Sequence, residues 1–245
     1  MRIYKFLNKP FGLQALRDRR FKVSRLTQLN DPFEMLALGV EDHGTRMALQ
    51  MTQVELNERA GWCCFSRTWT NPVIWSHYAD SHRGLCLGFD VPDAFAKPIE
   101  YVSVRPPFPN NLQQMTLSDK LAVMNRLLFV KFDNWRYENE IRLTVRLDAD
   151  CETADGMHFI DWQDALQLVE VVVGINSSTC KRELERALDG YSHPVTFIKA
   201  QTSGTAFEVV ASPDPLRNHD DLTCYLRRGK VIHPVEFVSD VAVTT

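Results

Sequence analysis

Two glutamates and an arginine stand two residues apart in the segment 135–146, WRYENEIRLTVR. Taken with a period of two, one face carries Glu138, Glu140, Arg142, Thr144 and Arg146, and the other carries Ile141, Leu143, Val145 and Leu147. A period of two is typical of a half-buried strand, whose same-face side chains lie about 6–7 Å apart. Carboxylates at that spacing can orient a ligand hydroxyl, act as a general base or stabilise a cationic transition state. The alternative interpretation is a solvated sheet face with alternating charges.

Further polar and aromatic residues stand near the ends of predicted elements. Tyr4 lies on a predicted strand over 2–6, and Ser66 and Thr68 follow a predicted strand over 62–66. Tyrosine and tryptophan rings offer flat faces to a nicotinamide or a nucleic-acid base. This set therefore belongs to the candidate site.

A helix that begins at Pro72 adds Trp75, His77 and Tyr78 to the candidates. For Trp75 and Tyr78 the alternative is a place in the core, and for His77 it is packing or hydrogen bonding. His77 and His82 are five residues apart, which does not place two imidazoles on one helical face, so no zinc site is predicted.

Length and composition limit the classes of function. The chain has 245 residues, 44% of them hydrophobic, and a net charge of −3. This net charge argues against sequence-independent attraction to nucleic acid but is compatible with a local basic groove. No apolar run approaches the roughly 20 residues that cross a bilayer, and the first residues lack the pattern of a signal peptide. The six cysteines show no Cys-x-x-Cys spacing. They indicate reduced thiols in a cytoplasmic protein.

The pattern predicts a mixed α/β fold (α+β mixed), a single compact domain whose central mixed sheet is flanked by helices. The strongest signal is a strand at 168–174 that is apolar on both faces, followed by a helix at 181–188 and a strand at 194–200. Residues 1–211 form the predicted domain, and 212–245 a carboxyl-terminal elaboration packed on it. The other predicted strands are 21–24, 85–89, 99–104 and 207–211. The other predicted helices are 12–20, 45–59 and 119–132. Ser118 is the predicted cap of the last helix, and Lys131 lies near its apolar stripe.

Several nucleotide and hydrolase signatures are absent from the sequence. It contains no Gly-x-Gly-x-x-Gly, no Gly-x4-Gly-Lys-Ser/Thr and no Gly-x-Ser-x-Gly. These absences disfavour a dinucleotide-binding Rossmann domain, a P-loop enzyme and a serine hydrolase of the nucleophile-elbow type.

Motifs spread along the chain resemble those of a bacterial family known as domain of unknown function 2971. They are LNDPFE (29–34), CFS (64–66), WSHYADSHRGLCLGFD (75–90), K-x3-WRYENEIRL (131–143) and VEVVVG (169–174). The resemblance covers the chain from about Tyr4 to about Val210. It implies membership of a family but no activity.

A second resemblance is to ADP-ribosyltransferases. It lies in the order of an amino-terminal basic or aromatic strand, a Ser-x-Thr strand end (66–68) and a Glu-x-Glu pair (138–140) on a later strand. The resemblance implies that Ser66 and Thr68 help to hold NAD, that Glu138 is the upstream glutamate and that Glu140 is catalytic. Arg2 or Tyr4 would stand on the first strand. The NAD-binding residues predicted overall are Tyr4, Ser66, Thr68, Trp75, His77, Tyr78 and Arg142. Such an enzyme would suit a toxin or a phage-defence effector that modifies a protein or a nucleic acid.

Two other hypotheses stay open. A non-catalytic module could use the Glu138–Arg142 row and the basic segment 226–230 to recognise a protein or nucleic-acid partner. A nuclease could hold Mg²⁺ between Asp31, Glu34, Glu138 and Glu140, although the turn at 29–34 could instead be a purely structural corner.

Overall fold

A computed structural model describes residues 1–34, 36–109, 111–147, 155–163 and 166–218. The strands are β1 (Arg2–Leu7), β2 (Arg20–Val23), β3 (Ala60–Ser66), β4 (Leu85–Asp90), β5 (Lys97–Pro98), β6 (Glu100–Val102), β7 (Val130–Phe132), β8 (Glu140–Arg146), β9 (His158–Asp161), β10 (Gln167–Val173), β11 (Thr196–Thr202) and β12 (Val209–Ala211). The longer helices are α1 (Lys9–Asp18), α2 (His43–Arg59), α3 (Pro72–Tyr78), α4 (Leu117–Phe129) and α5 (Lys181–Ala187).

Eight strands form one sheet in the order β12-β11-β10-β4-β1-β3-β8-β5. β10 and β11 are parallel and are connected through α5, whereas the other neighbouring strands are antiparallel. β10 lies between β11 and β4, and its residues Val171 to Val173 are fully buried, as its apolar sequence on both faces predicts. The predicted mixed α/β fold is confirmed.

Helices cover both faces of the sheet because the strand residues alternate between apolar clusters. On one face, the cluster that contains Cys63 and Phe65 packs against α1, α5 and the small β2–β9 sheet. On the other face, α3 packs in a second cluster with Phe6. A third cluster joins Trp62 of β3 to α2 and α4. The candidate site lies on this second face, between the second and third clusters.

The segment 135–146 is not one continuous strand. Asp133–Glu138 is a 3-10 helix, Asn139 has a left-handed φ of 45°, and β8 begins only at Glu140. Asparagine tolerates this conformation better than most residues, so the chain can turn sharply between the two glutamates. The prediction that Glu138 shares a strand with Glu140 is therefore wrong.

The predicted end of α3 and both predicted ends of α4 are also wrong. α3 ends at Tyr78 rather than continuing to Gly84, because Asp80, Ser81 and His82 all have positive φ. At the amino-terminal end of α4, the capping residue is Thr116 rather than Ser118, and its hydroxyl accepts a hydrogen bond from the Asp119 amide. α4 stops at Phe129, and the following three residues form β7, which pairs in parallel with β6.

Strand β9 was not predicted, since it lies in a polar connection and is recognisable only by its pairing with β2. Of the predicted carboxyl-terminal elaboration, residues 212–218 are described; the backbone carbonyl of Arg217 accepts a hydrogen bond from the Lys181 amide at the start of α5. The basic segment 226–230 lies outside the described residues. In the described part of the chain, no helix has the length and apolarity to cross a membrane.

Candidate functional site

Three neighbouring strands place one row of polar side chains across the sheet. Tyr4 of β1 is paired with Ser66 of β3, and Ser66 is paired with Glu140 of β8. Adjacent strands lie about 4.8 Å apart, so these residues are direct neighbours although they are up to 136 positions apart in sequence. Tyr4, Ser66 and Glu140, which follow one another along the sequence, therefore lie side by side across three adjacent strands.

Glu140 is fixed by the guanidinium of Arg142, two residues further along β8. Arg142 Nε donates to Glu140 Oε1 at 2.7 Å, and Arg142 Nη2 donates to Glu140 Oε2 at 3.2 Å. Arg142 also donates to both oxygens of Glu34, at 2.7 and 2.5 Å. All three residues are buried, so the turn that carries Glu34 is attached to β8 by a desolvated ion pair.

Lys131 of β7 joins the two glutamates. Its Nζ lies 2.6 Å from Glu138 Oε2 and 3.2 Å from Glu140 Oε2, and its side chain is 2% exposed. The other oxygen of Glu138 accepts hydrogen bonds from the Tyr78 hydroxyl and from the Asn30 amide at 3.5 Å. Glu138 therefore connects the buried ion pairs to Tyr78 and Asn30 at the edge of the network.

The network keeps Glu140 ionised. Burial alone raises the pKa of Glu140, but Arg142 and Lys131 outweigh it and hold that pKa at about 2. Burial lowers the pKa of Lys131, and the charges of Glu140 and Glu138 outweigh this effect and raise it. For Glu34, burial raises the pKa despite its hydrogen bonds to Arg142. Three carboxylates thus share two cations in this part of the sheet.

A cavity of about 220 Å³ adjoins this network. Tyr4, Ser66, Tyr78, Glu138, Glu140 and Arg142 all line it, as do Lys131, Lys5 and Asn30. The Lys5 ammonium donates to the Cys64 carbonyl at 2.8 Å, next to the single registered residue pair between β1 and β3. Six predicted site residues are therefore brought together around one cavity.

Burial also defines the protonation of the neutral groups in the cavity wall. Desolvation, reinforced by Glu138, raises the pKa of Tyr78, and desolvation, reinforced by Glu170, raises that of Tyr4. Both tyrosines are hydrogen-bond donors at neutral pH. Desolvation raises the pKa of the Cys64 thiol well above its usual range, so this cysteine is not an activated nucleophile.

Three predicted NAD-binding residues lie elsewhere. Trp75 is fully buried in the core, where its Nε1 donates to the Trp69 carbonyl at 2.6 Å. Its ring cannot contact a ligand, because it fills the space between α3 and the sheet. Thr68 and His77 do not line the 220 Å³ cavity: Thr68 lines a neighbouring pocket, and the exposed His77 lies beside Tyr137.

Three residues of the network were not among the predicted NAD-binding or catalytic residues. The sequence pattern places Lys131 at the end of a helix, Glu34 among possible metal ligands or in a structural corner, and Asn30 in a turn. The available signals were a lysine inside the apolar run LLFVKF and a polar Asn-Asp pair followed by Glu34. Neither feature of the sequence indicates which distant charged residue Lys131, Glu34 or Asn30 contacts.

The four carboxylates of the nuclease hypothesis already have partners. Glu34, Glu138 and Glu140 are paired with Arg142 or Lys131, and Asp31 accepts a hydrogen bond from the Phe33 amide. Within the described ranges, no group of three or more His, Cys, Asp or Glu side chains is arranged to hold a metal ion. The geometry offers a nuclease hypothesis no support.

Comparisons with protein-family models, with curated proteins and with solved structures found no match to this chain.

Proposed function

We propose that this chain is an NAD-dependent ADP-ribosyltransferase-like enzyme. The observation that carries the proposal is the row Tyr4–Ser66–Glu140 across β1, β3 and β8, which lines a cavity together with Glu138 and Tyr78. The row follows the order of elements by which the sequence resembles that class of enzyme. A toxin or phage-defence role and a cytoplasmic location stay predictions.

The electrostatics of Glu140 suit the stabilisation of a cationic transition state better than general-base catalysis. With a pKa of about 2, Glu140 carries its negative charge throughout the physiological range and is a poor general base. A fixed carboxylate in a desolvated site stabilises positive charge that develops on a sugar ring. We therefore assign Glu140 to stabilise the oxocarbenium-like transition state.

Glu138, Tyr78 and Tyr4 have supporting roles in this proposal. A ribose hydroxyl that displaces the Asn30 amide, 3.5 Å away, would donate to the Glu138 oxygen that also accepts from Tyr78. The tyrosine rings offer faces to the nicotinamide. At about 220 Å³ the cavity is smaller than the roughly 300–1,000 Å³ of most ligand pockets, so it suits the nicotinamide ribose half of NAD rather than the whole dinucleotide.

In the proposed reaction, the bond between ribose C1′ and the nicotinamide nitrogen breaks, and its electron pair leaves with neutral nicotinamide. A nucleophilic atom of the acceptor donates an electron pair to C1′ and loses its proton to solvent. No oxidant or reductant is required. Substitution at C1′ needs a stabilised cationic sugar, which is the role assigned to Glu140.

The test measures nicotinamide release from NAD by chromatography, together with the change in melting temperature that NAD produces. We expect NAD to raise the melting temperature of the wild-type protein, because a ligand that binds only the folded state stabilises it. Glu140→Gln should reduce nicotinamide release by roughly 10²–10³-fold, the usual effect of removing one stabilising group from a transition state. Glu138→Gln should also reduce turnover, with a larger effect on the KM for NAD.

Glu185→Gln is the matched control, since Glu185 is an exposed glutamate of α5 whose ion-pair partner among the described residues is the exposed Lys181. Circular dichroism of each variant establishes that it is folded. A folded Glu140→Gln protein with wild-type nicotinamide release would refute the assignment. Absence of both turnover and an NAD-dependent melting shift in the wild-type protein would refute the proposal as a whole.

A non-catalytic binding module is the second candidate. It is favoured by the fact that Glu138 and Glu140 already form ion pairs with Lys131, which holds both side chains rigidly in the cavity wall. Binding of a protein or nucleic-acid partner by a protein whose melting temperature NAD does not change would support this alternative.

A further inference from the structure

Glu140 also lines a second pocket, of about 540 Å³, next to the candidate site. We define this basic-aromatic pocket by Arg67, Thr68, Tyr101, Arg136, Tyr137 and Asn139. The Tyr101 hydroxyl accepts a hydrogen bond from the Glu140 amide at 2.8 Å, so the wall of this pocket is attached directly to β8. A group bound here would lie close to the proposed reaction centre.

The charge of this pocket is positive at its opening. Arg67 is exposed, and within the described part of the chain its guanidinium has no hydrogen-bond or ion-pair partner. Arg136 is paired with Asp133 through its Nε at 2.6 Å and lies over the Tyr101 ring, 5.4 Å from the centroid. Arg67 is therefore available for an anion, and Arg136 forms a planar surface beside it.

Aromatic rings continue from the pocket across the surface. The Tyr137 ring lies 6.1 Å from that of Trp135 and 5.9 Å from that of His77, with tilts of 35° and 32°. None of the three residues is buried. This ring series, defined as Trp135, Tyr137 and His77, begins in the pocket that Arg67 lines and extends across the surface. One face of the Trp135 ring is covered by Lys131, whose Nζ lies 4.6 Å from the ring centroid, so the other face and the rings of Tyr137 and His77 are the ones available to a base.

Arginines beside a series of accessible rings are the combination that single-stranded nucleic acids require. Phosphates are attracted by the arginines, and unpaired bases stack on the rings, whereas a duplex keeps its base faces hidden. The net charge of −3 disfavours binding over the whole surface and restricts such recognition to a local site.

We propose that the basic-aromatic pocket and the ring series bind single-stranded nucleic acid, and that this strand is the acceptor of the transferred group. The second half rests on the proposed function, whereas binding of the strand does not. The location next to Glu140 would bring a base or a terminal phosphate towards C1′ of bound NAD.

The test is fluorescence anisotropy with labelled oligo(U) and oligo(dT) of about 15 nucleotides, and with a duplex of the same length, over a range of salt concentrations. Binding of either single strand, and weaker binding of the duplex, is expected. Arg67→Ala should weaken binding about tenfold and should lower the slope of log affinity against log salt by about 0.7, because one phosphate contact is lost.

Tyr137→Leu should also weaken binding about tenfold, within the range for loss of one base–ring stack, while Tyr137→Phe keeps the ring and should bind normally. Arg17→Ala is the charge-matched control. Arg17 is an exposed arginine of α1, a helix that packs on the opposite sheet face, and its side chain has no hydrogen-bond or ion-pair partner among the described residues.

Failure of both single strands to bind, or equal binding by the Arg67→Ala and Arg17→Ala proteins, would overturn the proposal. NAD consumption that a polypeptide stimulates and an oligonucleotide does not would overturn the acceptor assignment in favour of a protein. Oligonucleotide binding by a protein that never consumes NAD would refute the proposed function but leave the strand-binding site in place. The two failures are therefore distinguishable.

Discussion

Replacing Lys131 by methionine removes the ammonium group that Glu138 and Glu140 share. The wild-type contacts are 2.6 and 3.2 Å long, and the three side chains are 2%, 8% and 4% exposed. Glu140 keeps Arg142 and Glu138 keeps Tyr78, so we expect one carboxyl group, not both, to take up a proton when the variant folds.

The size of the effect follows from the pH. Holding one carboxyl group with an ordinary pKa of about 4.3 protonated costs about 3.7 kcal/mol at pH 7 and about 1 kcal/mol at pH 5. Since the pKa of this group is raised in the folded variant, stability relative to wild type is lost as the pH increases. We therefore expect Lys131→Met to lower the free energy of unfolding by about 3–4 kcal/mol at pH 7 and by about 1 kcal/mol at pH 5.

Urea unfolding at the two pH values measures both quantities, and at pH 7 the midpoint should fall by about 2 M. Lys181→Met is the control, because Lys181 forms an exposed pair with Glu185 at 3.5 Å, and its loss should change stability by less than about 0.5 kcal/mol. If Lys131→Met were as stable as wild type at pH 7, or equally destabilised at both pH values, the shared ammonium would not hold the two carboxylates in place.

Two further predictions concern single residues. Because the folded-state pKa of Glu140 is depressed to about 2, its stabilisation is present above the unfolded pKa and is lost as the pH falls. Between about pH 5 and pH 2, urea unfolding should show wild type losing about 3 kcal/mol more than Glu140→Gln; parallel losses would contradict this. Gly88→Ala should lower the free energy of unfolding by about 1–3 kcal/mol, since the new Cβ would lie 2.5 Å from the Glu170 Cγ. Gly204→Ala meets nothing within 4 Å and should be nearly neutral in the same thermal or urea assay.

The sequence predicts much of the sheet because the burial of each strand face determines which positions of the strand are apolar. β10 is apolar at consecutive positions since it is covered on both faces, and β8 alternates from Ile141 onward since it has one polar face. The juxtaposition of Tyr4, Ser66 and Glu140 was anticipated through the order of motifs, but their alignment in one row depends on strand register. Register is set by pairing across the sheet.

The rest of the site depends on contacts that no local pattern encodes. Glu34 and Arg142 are 108 residues apart, and each sequence neighbourhood is equally consistent with an exposed charge. Lys131 follows a strong helical stripe, so its place on a short strand is decided by the pairing of β7 with β6. The sequence does not reveal that Trp75 is buried, because an aromatic residue near polar ones has the same pattern whether its ring faces a cavity or the core.

The connection between β1 and β3 has a consequence for how a ligand would affect the whole molecule. β1 and β3 share a single paired position, Tyr4 with Ser66. At the next position the Cys64 carbonyl accepts a hydrogen bond from the Lys5 ammonium, where a continuous sheet would supply a backbone amide. The cavity opens at this interruption, so an occupant would contact both halves of the sheet and bridge them. Its binding energy would then add to the cooperative unfolding of the entire domain rather than to the protection of one loop.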